Sequence, residues 1–358
     1  MDPETPLPPA VPLSPSASST PAQPQPPTEP PPQTFKPRKI FIGKEGLRAG
    51  WGVLIFIVLF AAFLAIATVI NSKLHPGQQR PTSVSVISLS FGYLQESILA
   101  TAVLLSTWLM SKIERRGRSY GFGGKSKLAL FLAGLLSGLV LISLLVFLLW
   151  TQRLLAIDGR LIFGADIFRY GALWLFAFCL VGIAEEGLTR GYLLYTLTRG
   201  LAWLYEYLFK TRHGTALGFW TAAVILSVIF FLGHTGNPGE SPVGLLSVFA
   251  AGMFFCLSIW RTGSIWWAIG MHAAWDWGQS FLFGVADSGL MVQHRLLATH
   301  PAGKTFLSGG TTGPEGSIYI LGVLALGSLI IVFTLPKRQY IAARPTASDI
   351  AQPAIASA

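Results

Sequence analysis

The sequence predicts an all-α fold, a polytopic membrane helix bundle of about eight transmembrane helices, on three observations. The chain is 52% hydrophobic and only 12% charged, whereas soluble domains carry about 25% charged residues. Apolar runs near 20 residues long, enough to cross a hydrocarbon core of about 30 Å, recur along its 358 residues. Its basic residues gather in the short segments between those runs, as the positive-inside rule requires. The net charge of +10 is therefore a mark of membrane topology, and no nucleic-acid partner is expected.

Taken in order, the expected spans are 50–70, 84–111, 128–150, 171–198, 217–234, 243–260, 264–284 and 317–335. Only RTGS separates the sixth from the seventh. Ahead of the first lies a Pro-rich tail, residues 1–40, containing PLPPAVPLSPSASSTPAQPQPPTEPPPQ. Its first 34 residues hold no Lys or Arg and no apolar core, which excludes a signal peptide and predicts a disordered, partly polyproline-II segment. The membrane domain is expected over 41–340, with a flexible tail at 341–358. With the N-terminus cytoplasmic, the inward segments hold 18 of the 26 Lys and Arg, the outward loops hold 7, and Arg190 lies within a helix. That asymmetry predicts N-in and C-in. The strongest anchors are KPRKIFIGKEGLR and KIERRGRSYGFGGKSK. Residues 199–216 mix aromatics with charges and suit an interfacial amphipathic helix. Cys179 and Cys256 lie in apolar runs without a CxxC pattern, as buried thiols rather than disulfide or zinc ligands.

Ionisable groups at membrane depth cost roughly 2.5–3.5 kcal/mol each on insertion scales, so they usually face the bundle interior and mark function. Besides Glu96 in the second span, they fall in three places. In GIAEEGLTRGYL, Arg190 follows Glu186 by four residues, on the same helix face and in the favourable order for an ion pair. Glu185 is turned about 100° away and is left without an in-helix partner. An unpartnered carboxylate in a low-dielectric setting suits a general base. In FFLGHTGNPGE, His234 ends an apolar run just before a helix-breaking TGNPG. In MHAAWDWGQS, His272 and Asp276 are four apart on one face, which suits metal ligation, a carboxylate-oriented histidine, or two donors aimed at an oxyanion. Together these groups supply a base, carbonyl polarisation and a proton source for hydrolysis. No GxSxG, HExxH or paired-Asp motif supports a serine, zincin or aspartyl mechanism.

EEGLTR (185–190), FFLGH (230–234) and HAAWD (272–276) match EExxxR, FxxxH and HxxxN/D in order. In this the chain resembles the CPBP intramembrane proteases, which include CAAX prenyl proteases of the Rce1 type and bacterial abortive-infection and bacteriocin-immunity proteins. The resemblance spans about 84–335. It implies that Glu185 activates water with His234 beside it, that His272 and Asp276 stabilise the oxyanion, and that Glu186 and Arg190 support them. It also implies zinc on Glu185, His234 and His272, or a metal-free glutamate mechanism through the same residues. The implied partners are a membrane-associated, prenylated or lipid-anchored protein or peptide and membrane lipid; the implied location is a bacterial inner membrane. Asp276 departs from the Asn usual in prenyl-protein proteases. Asn is a ready donor, while Asp needs a proton or a metal, which tilts toward metal or a different substrate. Two other readings are a non-catalytic immunity or scaffold protein of the same fold and a proton-coupled transporter. Against the first, all three motifs are intact; against the second, the halves show no repeated broken helices.

Overall fold

A computed structural model describes residues 41–43, 46–74, 86–114, 120–124, 126–237 and 239–337. The Pro-rich tail, the C-terminal tail and parts of both basic anchors lie outside the described residues. The rest is a helical bundle of nine main helices: α1 Ala49–Leu74, α2 Leu89–Glu114, α3 Lys127–Thr151, α4 Ala165–Glu186, α5 Leu193–Phe209, α6 Gly214–His234, α7 Pro242–Thr262, α8 Trp266–Asp276 and α9 Tyr319–Thr334.

Among the described residues, six helical stretches are long and apolar enough to cross a membrane, with α4 and α5 counted as one of 45 residues. The chain is an integral membrane protein. Of α1's 26 residues only Gly52 and Phe56 are buried, so the bilayer and not the protein covers its apolar surface. The exact count of eight is not confirmed, because the last two fall short of the length that crosses a membrane. The seventh is broken after 11 α-helical residues at Asp276, and α9 has 16 residues, about 24 Å of helix against about 30 Å of hydrocarbon. The fourth is longer than its apolar run. It begins at Ala165 and continues through α5, which takes up most of the expected amphipathic segment; α6 then starts at Gly214. Trp203, Tyr207 and Phe209 are exposed along α5.

Local signals explain the boundary between α7 and α8. Ser241 caps α7, accepting from the Gly244 N–H at 3.0 Å, with Pro242 in the first turn. Gly263 ends it at φ 65°, a left-handed cap that a side chain would strain. Helices α3 and α8 then meet along a seam of small residues. A Cβ at Gly134 would strike the carbonyl of Trp267, one at Gly138 that of Met271, and one at Gly270 that of Phe131. This backbone-to-backbone approach is the small-xxx-small packing of membrane helices, where dispersion replaces the hydrophobic drive.

The connections segregate to two ends. At the first, Arg199 Nη2 donates to the Leu47 carbonyl at 3.2 Å and lies 3.5 Å from Glu114, the Ile265 N–H donates to Gly121, and Arg261 donates to Leu335. At the second, Leu155–Arg160 pairs antiparallel with Leu297–Pro301, Val86–Ile87 pairs parallel with Met291–Val292, and the Gly239 carbonyl accepts from Thr311 and Thr312. Residues 283–318 thus form a cap over the second end.

Candidate active site

Two of the three motif-bearing helices change winding at the motif. Helix α4 becomes π-helical at Gly187–Tyr192, with Gly191 at φ −80°, ψ −119°, and α8 becomes π-helical at Trp277–Leu282. Single π turns inside α-helices mark functional sites because they re-aim side chains. Each begins at the residue after a motif carboxylate, Glu186 or Asp276.

Glu186 and Arg190 are fully buried, with Arg190 Nη1 donating to Glu186 Oε1 at 2.8 Å. The guanidinium also lies over two aromatic faces, 4.4 Å from the Phe230 ring and 5.4 Å from Phe255. Those faces offset some of the cost of a buried cation whose Nε and Nη2 have no hydrogen-bond partner among the described residues. His272 joins the pair: its Nδ1 is 2.9 Å from Glu186 Oε1. A carboxylate accepts, so Nδ1 carries the proton and Nε2 is the nitrogen turned away from Glu186. That nitrogen is 3.7 Å from Glu185 Oε2 and 3.5 Å from Asp276 Oδ2. Phe255 stacks on the His272 ring at 5.3 Å and 14°.

Glu185 differs from its neighbour. Its side chain is 33% exposed against 0% for Glu186, and it faces a cavity of about 310 Å³. His234, His272 and Asp276 line the same cavity. His234 Nδ1 is 2.8 Å from the Phe230 carbonyl, an acceptor, so this nitrogen carries the proton and Nε2 is left as the lone-pair side. The structure therefore groups Glu185, Glu186, Arg190, His272 and Asp276 by direct contacts or near approaches, and brings His234 to the same cavity.

Sequence reading missed several lining groups. Glu96 on α2, noted only as an ionisable residue in an apolar helix, lines the cavity. So do Asp287 and Glu315 from the cap. Trp275 Nε1 donates to Glu315 Oε1 at 2.9 Å, Ser288 donates to Glu315 Oε2 at 3.1 Å, and Ser280 donates to Asp287 Oδ2 at 3.2 Å. Burial, then the carboxylates of Asp276 and Glu315, push the Asp287 carboxyl well above the usual range. Glu96's intramembrane charge was a usable signal; Asp287 and Glu315 sit in irregular segments without periodicity.

Among the described residues no three His, Cys, Asp or Glu side chains are arranged to hold a metal ion. Glu185, His234 and His272 line one cavity. Cys179 and Cys256 are both free.

Residues 168–278 match the family model of type II CAAX prenyl endopeptidases, Rce1-like. Over this segment the chain is similar to that family. The segment holds all three motifs and supports membership of the CAAX-type intramembrane endopeptidases, a family of proteases. No curated protein and no solved structure matches the chain.

Proposed function

We propose that the chain hydrolyses a peptide bond in a membrane-associated protein or peptide. The observation that carries this reading is the division between the two adjacent glutamates: Glu186 is sealed in an ion pair, while Glu185 opens on the cavity beside His272 Nε2. Glu185 takes a proton from a water in the cavity, with His234 Nε2 positioned as a second acceptor. The hydroxide formed attacks the scissile carbonyl. His272, held by Glu186 through Nδ1–H and protonated on both ring nitrogens, donates Nε2–H to the developing oxyanion, and Asp276 in its protonated form donates alongside it. The proton held by Glu185 passes to the leaving amine, which completes hydrolysis without a net change at the protein. Glu186 and Arg190 are positioning residues. Glu96, Glu185, Asp276, Asp287 and Glu315 line the cavity, and no described lining residue is Lys or Arg. A neutral or basic peptide segment is therefore favoured over a free C-terminal carboxylate.

The test is turnover of internally quenched peptides by the purified full chain in lipid vesicles. Glu185→Gln is expected to lower turnover by at least about 100-fold and to leave the melting temperature unchanged. Turnover equal to the parent's overturns the reading.

A further inference from the structure

One ionisable side chain on the cavity wall has no part in the three motifs or in the steps above. Glu96 lies on α2, outside the matched segment 168–278, and lines the cavity with Glu185, His272 and Asp276. Its place follows from how α2 meets α4. A Cβ at Gly92 would touch the Trp174 ring at 3.5 Å, and one at Gly187 would come within 2.9 Å of Val103. Gly92, Glu96 and Val103 recur at i, i+4 and i+11, which is one helix face. Glu96 is therefore turned toward α4, on the stretch between Trp174 and Gly187. From that stretch Phe178, Val181 and Glu185, at i, i+3 and i+7, line the same cavity.

A structural role does not account for it. Among the described residues Glu96 has no hydrogen bond or ion pair, and an acid at membrane depth is costly and usually functional. Its electrostatic neighbours are Glu185 and His272, the base for water and the donor to the oxyanion. Peptide hydrolysis also needs a proton on the leaving nitrogen, because an amide anion is too poor a leaving group. We propose that Glu96 is the acid that protonates the leaving amine. This rests on the proteolytic reading and adds a carrier to its proton path. Glu96 enters in its protonated, uncharged form. When the tetrahedral intermediate collapses, an oxyanion lone pair re-forms the C=O bond and the C–N pair departs with nitrogen, which takes the proton from Glu96. The Glu96 carboxylate then recovers a proton, through a water in the cavity, from Glu185, which had taken it from the attacking water. One peptide bond and one water are consumed, an acid and an amine are released, and both glutamates return to their starting forms.

The experiment compares two substrates on the purified full chain in lipid vesicles: an internally quenched peptide, and its analogue with sulfur in place of the scissile N–H. A thiolate leaves without a proton, so the analogue bypasses the acid but still needs the base. Glu96→Gln is expected to lower kcat on the peptide by at least about 100-fold, with KM and the analogue's turnover each within about 3-fold of the parent's. Glu96→Asp, which keeps a carboxyl, should retain more peptide turnover than Glu96→Gln. Glu185→Gln should lose both substrates. Should Glu96→Gln fail to accumulate, Glu96→Met carries the same comparison. Equal losses on peptide and analogue, the mark of a merely structural role, overturn the proposal, as does unchanged peptide turnover. A parent that cleaves neither substrate defeats the proteolytic reading and the proposal with it, whereas losses confined to Glu185→Gln defeat the proposal alone.

Discussion

His272 Nδ1 lies 2.9 Å from the same Glu186 oxygen that accepts from Arg190 at 2.8 Å. A buried carboxylate oxygen shared by a guanidinium and an imidazole ties two helices distant in sequence to one point. It also sets which ring nitrogen of His272 is presented to the cavity.

Removing that oxygen has a different signature from removing Glu185. Glu186→Ala leaves Arg190 buried without its counter-ion, a loss of about 3–5 kcal/mol. The melting temperature in detergent should fall and turnover should fall with it. Glu186→Gln, which keeps an acceptor, should recover part of the stability. A melting temperature unchanged in Glu186→Ala would show that the pair contributes nothing to the fold.

The seam between α3 and α8 predicts an effect on catalysis from the far side of the site. Gly138→Leu places a side chain against the Met271 carbonyl, one residue before His272. Overpacking costs about 1–3 kcal/mol, and α8 must shift to relieve it. Turnover should drop more than stability does. Gly322→Leu on α9 is the control, because nothing lies within 4 Å of the added Cβ. Equal behaviour of the two variants would refute the seam's role.

Asp287 predicts a pH dependence. Its carboxyl is raised in the folded chain by burial and by Asp276 and Glu315, with His272 opposing. The unfolded value is about 3.9. A raised folded value favours the fold fully below the unfolded one and loses that contribution as pH rises through the folded one. Asp287→Asn should therefore gain melting temperature relative to the parent as pH increases from about 4 upward. A difference that stays flat with pH would count against the assignment.

Metal removal gives a fourth outcome. Because the proposed mechanism uses Glu185 as the base and routes no step through a metal, dialysis against a strong chelator should leave turnover intact. Elemental analysis of the dialysed protein checks that removal is complete. Loss of turnover that added zinc restores would return the site to the metalloprotease reading.

The chemistry-bearing spacings were legible because i, i+4 geometry is local: Glu186 with Arg190 and His272 with Asp276 follow from helical period alone. The sharing of Glu186 by His272 was not, since it depends on how α4 and α8 lie against each other. Hydropathy located the long spans but not the breaks in the shorter ones, because an apolar run does not reveal where winding changes, as it does after Asp276. The cap residues Asp287 and Glu315 were invisible for a further reason. They come from irregular backbone held by particular hydrogen bonds, such as Trp275 to Glu315, which no pattern of hydrophobicity encodes.

Gly134, Gly138 and Gly270 offer nothing to a substrate, yet the position of His272 is inherited from the atoms they lack. Mutational vulnerability in this protein therefore need not map onto its cavity. A lineage could lose its catalytic alignment through a single added methyl group on the outer flank of α8 while every lining residue remained in place.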